Sequence, residues 1–194
     1  MKTDVITISS RGEQMEAALQ QAEKTAAYKG LTGKNALHLR LLTEEMMGMM
    51  RSIAGNVEGK FWIEDEDGAY QLHLKVHTSM DEQKREKLLS ASSSGINEAS
   101  RGIMGKLRAF FEPAEDNPLF VTSMMSDGPE GLNDMNWSMY AYREQLERYM
   151  TEQRDGAAEA WDELEKSVVS HVADDVKVSI RGRDVEMIIC KKMA

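Results

Sequence analysis

Two neighbouring glutamates lie in a segment whose apolar spacing predicts a long helix. The apolar side chains of that segment recur at helical intervals, at Leu39, Leu42, Met46, Met49, Met50 and Ile53. At about 100° per residue, Glu45 falls about 60° from Leu42, beside His38 at the edge of the apolar stripe, whereas Glu44 falls nearly opposite, in solvent. A general base has to be partly desolvated at the wall of a pocket. Glu45 is therefore the candidate base, and a solvated carboxylate at the helix edge is the alternative interpretation.

The remaining reactive side chains form no recognisable site. Cys190 is the one cysteine, so neither an intramolecular disulfide nor a thiolate metal cluster can form. The four histidines, His38, His73, His77 and His171, lack metal-ligand spacing, and His73 and His77 are expected at solvated positions of one strand face. The chain contains neither a Gly-x-Ser-x-Gly nucleophile motif nor a phosphate-binding P-loop. The sequence predicts no metal site.

Charge and hydropathy restrict the class of partner. The formal net charge is -9, and lysines and arginines are scattered among acidic residues, which disfavours nucleic-acid binding. No apolar run approaches the roughly 20 residues needed to span a membrane, and residues 1–10 lack the apolar core of a signal peptide. We therefore expect a soluble, cytoplasmic protein that binds neither nucleic acid nor membrane.

The predicted elements follow the order strand, helix, helix, hairpin, helices, hairpin. Alternation predicts hairpins at 61–77, around an Asp-Gly turn, and at 176–189. Strands joined locally in this way favour an α+β, two-layer sandwich over a doubly wound parallel sheet. We expect a mixed, mostly antiparallel sheet that is covered on one face by helices.

The helical expectations are specific enough to be checked residue by residue. Amphipathic helices are predicted at 137–152 and 157–172. Their expected core-facing residues are Tyr140, Leu146 and Met150 in the first, and Trp161, Leu164 and Val168 in the second. Met47 falls on the polar side of the helix that carries Glu45, where it is expected to form an exposed interaction patch.

The element order resembles the Bergerat fold of the histidine-kinase-like ATPase superfamily, and in particular the anti-sigma-factor serine kinases. Residues 39–50 are similar to the family's N-box helix, Gly30-Leu31-Thr32 to the segment leading into it, and residues 176–191 to its terminal pair of strands. The resemblance covers residues 1–111 and 174–193. It implies one domain over residues 1–194, with residues 113–172 as an inserted loop and helical pair.

The resemblance also implies a set of ATP-site positions, most of which carry the wrong residue. The family's catalytic glutamate falls on Glu45, and its Mg²⁺-binding asparagine falls on Met49, whose thioether is a poor ligand for a hard cation. The adenine-binding aspartate corresponds at best to Asp81, without the family's glycines. The phosphate-binding glycines correspond to Gly102 and Gly105. We therefore expect no cofactor, with ATP and Mg²⁺ as the cofactors if the pocket is retained.

Three functions are consistent with this pattern. The first is a degenerate regulatory domain without kinase activity, whose protein partner is a sigma factor, an antagonist or a sensor-type regulator in a bacterial partner-switching system, with a homodimer as a compatible state. The second is an active ATP-dependent serine kinase that uses Glu45 as base. The third is an unrelated α+β interaction module that binds through the helices at 137–172.

Overall fold

A computed structural model of the chain describes residues 1–52, 57–77, 134–181 and 184–193. These ranges contain six strands and five helices. In chain order they are β1 (Ile6–Ser9), α1 (Met15–Tyr28), α2 (Gly33–Ser52), β2 (Glu58–Glu66), β3 (Ala69–His77), β4 (Asp134–Ser138), α3 (Met139–Thr151), α4 (Ala157–Glu165), α5 (Val168–Val172), β5 (Asp175–Arg181) and β6 (Asp184–Lys192). The α+β class expected from the sequence is confirmed.

The six strands form one sheet in the order β1-β2-β3-β6-β5-β4. Every pairing between the described strands is antiparallel, so the sheet is not mixed as expected. The two hairpins supply the antiparallel pairs β2–β3 and β5–β6, and they meet where β6 runs antiparallel to β3. The edge strands β1 and β4 are also antiparallel to their neighbours, but their connections to β2 and β5 run through helices.

The β2–β3 hairpin is fixed by the turn that the sequence predicts. Asp67 and Gly68 both have positive φ, 50° and 84°, as a two-residue turn between twisted strands requires. The register follows directly from this turn and places Glu66 opposite Ala69 and Trp62 opposite His73. Both predicted hairpins are confirmed in the described residues.

Side chains alternate along the strands between a helix-covered face and an opposite face. The helix-covered face is fully buried in the central strands, at Phe61, Ile63, Leu72, Leu74, Val76, Val185, Met187 and Ile189. Helices α1, α2 and α3 contact this sheet: α1 at β1 and β2, α2 at β3, and α3 at β4 and β5. The opposite face, which we call the outer face, carries mainly charged and amide side chains, such as Lys60, Glu64, Gln71 and Lys75.

Helix α2 is buried over a wider arc than its apolar stripe predicts. Leu39, Leu42, Met46, Met49 and Met50 are buried as expected. Thr43 and Met47 are buried too, and Met47 is only 3% exposed. The expectation that Met47 forms an exposed interaction patch is wrong, because α1 packs along that side of α2.

An ion pair between α1 and α2 lies on the side of α2 that carries Met47. Arg40, one turn before Glu44, pairs with Glu23 of α1 as well as with Glu44 on its own helix. The edge of α2 that carries His38 and Glu45 lies on the other side of the buried arc, away from α1.

The first of the two predicted helices at the end of the chain begins two residues late. Trp137 lies on β4, opposite Val178, and the helix starts only after Ser138, whose hydroxyl accepts a hydrogen bond from the Ala141 N–H. Its buried residues are therefore Met139, Tyr142 and Leu146, and of the expected set only Leu146 is correct. Tyr140 is 68% exposed and Met150 is also exposed.

The second predicted helix is divided into α4 and α5. The backbone becomes extended at Ser167, with ψ at 128°, and this separates the two helices. Leu164 is buried as expected, and Trp161 packs partly buried against the core. Val168 is exposed, and Val169 takes the buried position.

Candidate functional site

Glu45 lies near the middle of α2, half-buried at the edge of the helix that faces away from α1. This is the position that the helical wheel predicts. Burial raises the pKa of the Glu45 carboxyl above its ordinary value, and the neighbouring charge of Glu44 raises it further. The group therefore holds a proton more readily than an exposed glutamate does, as a proton-transferring carboxyl must.

His38 lies two turns before Glu45 on the same edge of α2. The imidazole is half-buried, and its Nδ1 atom has no hydrogen-bond partner among the described residues. Burial lowers the pKa of His38, and the ammonium groups of Lys34 and Lys191 lower it further. The ring is therefore neutral near neutral pH, so this edge carries a neutral imidazole and a carboxyl with a raised pKa.

Lys191 approaches this edge from the end of β6. Its ammonium group lies 2.7 Å from the Oδ1 atom of Asp174, and the other carboxylate oxygen of Asp174 accepts from the backbone N–H of Lys192. This pairing fixes the end of the terminal hairpin. We call the edge of α2 that carries His38 and Glu45 the α2-edge site.

Met49, one turn beyond Glu45, does not fit the metal-binding role that the resemblance assigns to its position. Its side chain is 1% exposed and belongs to the apolar core. A thioether inside an apolar core supplies no oxygen ligand to Mg²⁺. The described residues contain no group of three or more histidine, cysteine, aspartate or glutamate side chains that could hold a metal ion.

The other positions implied by the resemblance lie outside the described residues. Asp81, Gly102 and Gly105 belong to the range 78–133. Glu45 and Met49 are therefore the two predicted site residues that the structure brings together, four residues apart on one helix.

The acidic run at the β2–β3 turn is occupied by internal ion pairs. Glu64 lies 2.9 Å from the ammonium group of Lys2, and Asp65 lies 2.6 Å from that of Lys29. Lys2, Glu64 and Asp65 border an open cleft of about 470 Å³ at the end of the hairpin. Because two of its carboxylates are already neutralised, this run is a structural tie between elements.

One polar cluster on the outer face was not predicted. His73, expected to be solvated, is only 6% exposed, because the indole ring of Trp62 stacks on it with the ring centroids 4.7 Å apart. Glu64 and Glu186 flank the imidazole on either side. The two-residue turn at Asp67-Gly68 contains the signal that pairs Trp62 with His73, whereas nothing in the sequence indicates that Glu186 lies next to them.

Comparison with known proteins gives no independent assignment of this site. No family model matches the chain, and no curated protein matches it. None of the helices in the described ranges is both long and apolar enough to cross a membrane.

Proposed function

We propose that the chain is a regulatory protein-binding domain of the anti-sigma-factor serine-kinase type that has lost ATP hydrolysis and kinase activity. The observation that carries this proposal is Met49. Its thioether stands where the resemblance requires an oxygen ligand, and it is buried in the core beneath the helix edge. Nucleotide chemistry of this family depends on Mg²⁺, so loss of the ligand at this position favours a binding role over catalysis.

The order of elements also supports the proposal. The described chain runs from strand to two helices and a hairpin, and it ends in a second hairpin, as the resemblance implies. Between the hairpins, β4 and helices α3 to α5 form the described part of the added segment. This segment exposes Tyr140, Met150 and Val168, which offer apolar contact area to a protein partner.

The expected partner is a sigma factor, an antagonist or a sensor-type regulator. Such partners bind through protein surfaces, and the acidic balance of the chain does not favour a nucleic acid. A cytoplasmic location accompanies this proposal.

An active ATP-dependent serine kinase is the second candidate, and Glu45 favours it. Its carboxyl is half-buried and has a raised pKa, which suits a general base that accepts the proton of a serine hydroxyl. In that case the chain would have to bind the nucleotide without an oxygen ligand at residue 49.

A capture and label-transfer experiment distinguishes the two candidates. The full chain is immobilised, incubated with lysate of its source cells and then supplied with γ-labelled ATP and Mg²⁺. The proposal predicts a reproducibly retained protein that remains unlabelled with wild type, Glu45→Gln and Glu44→Gln alike. Labelling that Glu45→Gln abolishes and Glu44→Gln preserves would establish the kinase, and failure to retain any protein would contradict the binding role.

A further inference from the structure

The imidazole of His73 lies between two carboxylates that come from two different strands. Its Nδ1 atom is 3.4 Å from Oε1 of Glu186 on β6, and its Nε2 atom is 3.9 Å from Oε2 of Glu64 on β2. The ring plane is nearly parallel to the indole of Trp62, at 9°, so stacking fixes the direction of both nitrogens. The cluster therefore joins the three neighbouring strands β2, β3 and β6 on the outer face.

A neutral imidazole cannot satisfy both carboxylates. It carries one N–H, so the other nitrogen presents a lone pair to a carboxylate. Nε2 is buried and has no hydrogen-bond partner among the described residues. An unsatisfied buried polar atom costs free energy, whereas the imidazolium donates from both nitrogens.

Glu64 is arranged to receive the second hydrogen bond. Its Oε1 atom already accepts from the indole N–H of Trp62, at 2.8 Å, and from the ammonium group of Lys2, at 2.9 Å. Its Oε2 atom is the oxygen that faces Nε2 of His73. The contacts with Lys2 and with the Trp62 indole hold the pKa of Glu64 below its usual range, so the carboxylate stays charged at neutral pH.

The charges around the ring come from every neighbouring element. Lys75, two residues after His73 on β3, pairs with Asp184. Ile188 of β6 lies directly opposite His73, and it lies between His73 and Lys177 of β5. The charged and titratable groups on this part of the outer face are Lys2, Lys60, Glu64, Lys75, Lys177, Glu186 and Cys190. Glu64 and Glu186 are the two of these within 4 Å of an imidazole nitrogen.

We propose that His73, Trp62, Glu64 and Glu186 form a proton-operated clasp, which closes across β2, β3 and β6 when the imidazole is protonated and loosens when it is neutral. Lys2 extends the clasp, because it pairs with Glu64 and lies 5.0 Å from the centre of the Trp62 ring. The closed clasp holds the segment before β1 against the outer face. Histidine is the side chain whose charge most readily changes near physiological pH in proteins, which suits it to a clasp of this kind.

The sign of the pH dependence follows from the geometry. The doubly protonated ring pairs with Glu64 and Glu186 in the folded chain and with neither in the unfolded chain, so the clasp stabilises the fold only while the ring is protonated.

Unfolding by urea at about pH 6 and about pH 8.5 tests the clasp, because ordinary glutamate side chains are ionised throughout this range. The proteins are wild type, His73→Gln and His77→Gln. His77 is the matched control: it lies on the same strand and contacts Asp184 at 2.9 Å, but its side chain is 68% exposed. For each protein, the folded-to-unfolded ratio is measured at both pH values. We expect the advantage of wild type over His73→Gln in this ratio to rise several-fold on acidification. The difference between wild type and His77→Gln should change little.

Two further measurements separate a clasp from a purely structural role. Glu186→Gln should remove most of the pH dependence while it leaves the fold intact. In wild type, ring ¹⁵N spectra should show two N–H groups on His73 at the lower pH and one at the higher pH, an observation that does not require any variant to fold. A single N–H across the whole range would overturn the proposal, as would a stability difference that is equal at both pH values.

Discussion

At the scale of single residues, the chemistry of the α2-edge site is set by how far each side chain is withdrawn from water. Glu45 is half-buried next to Glu44, and both conditions disfavour its charged form. His38, on the same edge, is held neutral by burial and by two lysines. The edge thus keeps two titratable groups closer to neutrality than exposed groups would be.

The raised pKa of Glu45 leads to a stability prediction. A carboxyl whose pKa is higher in the folded than in the unfolded chain destabilises the fold when it is ionised, and this cost disappears as the pH falls through the raised pKa. Glu45→Gln should therefore raise the unfolding midpoint by about 1 °C at pH 7 and have no such effect near pH 4.

Glu44→Gln is the matched control for this measurement. Glu44 accepts a hydrogen bond from Arg40 at 2.9 Å, so its removal takes away a favourable contact. Thermal unfolding followed by circular dichroism should show that Glu45→Gln is the more stable of the two variants at pH 7. The reverse order would contradict the assigned burial of Glu45.

The position of Glu45 was predictable, whereas the burial of Met47 and His73 was not. A helical wheel fixes the angle of Glu45 from the apolar stripe alone. Met47 lies on the side of α2 that packs against α1, and the ring of Trp62 stacks on His73. Both arrangements depend on tertiary packing that a single segment does not reveal. Position on an element is thus a local property, but exposure is not.

At the scale of elements, Asp65 ties the end of α1 to the β2–β3 turn. Its side chain, 2% exposed, lies 2.6 Å from the ammonium group of Lys29 at the end of α1. It also accepts from the backbone N–H of Gly68. The hydrogen bond from Lys29 is the main reason that the pKa of Asp65 lies below its ordinary value.

Asp65→Asn should lower the unfolding midpoint at pH 7 by about 2–4 °C, because it removes the ion pair but keeps the shape of the side chain. The lowered pKa gives the sign: the stabilisation is present above the pKa of an unfolded aspartate and is lost as the pH falls through the folded pKa. Asp162→Asn, which removes an exposed pair with Lys166, is the control and should change little. Equal effects of the two substitutions would show that the tie contributes nothing.

Gly68 is the second element-scale constraint. It has φ of 84°, and a Cβ atom added there would lie 2.9 Å from the backbone oxygen of Met193. Gly30 has a similar φ of 67°, but an added Cβ meets no described atom within 4 Å. An alanine at Gly30 would therefore meet backbone strain alone, whereas an alanine at Gly68 would meet both backbone strain and a steric collision.

Chemical denaturation of Gly68→Ala and Gly30→Ala measures that difference. Gly30→Ala should cost about 1 kcal/mol, from the left-handed backbone alone. Gly68→Ala should cost about 2–4 kcal/mol, because the contact with Met193 must also yield. A smaller loss for Gly68→Ala than for Gly30→Ala would contradict the close approach of the turn to the end of β6.

The hairpins were predictable as elements, but β4 was not. Alternating residues and an Asp-Gly turn define β2 and β3 within a single stretch of sequence. Trp137 and Ser138 directly precede a helix-forming run, and their local sequence predicts that they belong to it. They become a strand because β5, some 40 residues later in the chain, supplies the hydrogen-bonding partners. The local periodicity of a sequence does not predict long-range strand pairing of this kind.

At the scale of the whole molecule, the two faces of the sheet have different roles. The helix-covered face supplies the apolar core, in which Met46, Met49 and Met50 take part. The outer face carries the His73 clasp. The exposed apolar residues proposed to contact a partner, Tyr140, Met150 and Val168, lie on α3 and α5 in the helical layer. The proposed clasp and the proposed partner surface therefore use different parts of the molecule.

The proposed loss of ATP hydrolysis and kinase activity rests on the missing metal ligand at residue 49, and thermal unfolding of the full chain with millimolar Mg-ATP or Mg-ADP tests that basis. A ligand that binds only the folded state must raise the midpoint, and at 100 times its dissociation constant it adds about 2.7 kcal/mol of stability. Because Met49 is buried in the core at the metal-ligand position, we expect the same midpoint with and without nucleotide. A rise of several degrees that requires both nucleotide and Mg²⁺ would contradict it and would favour the kinase.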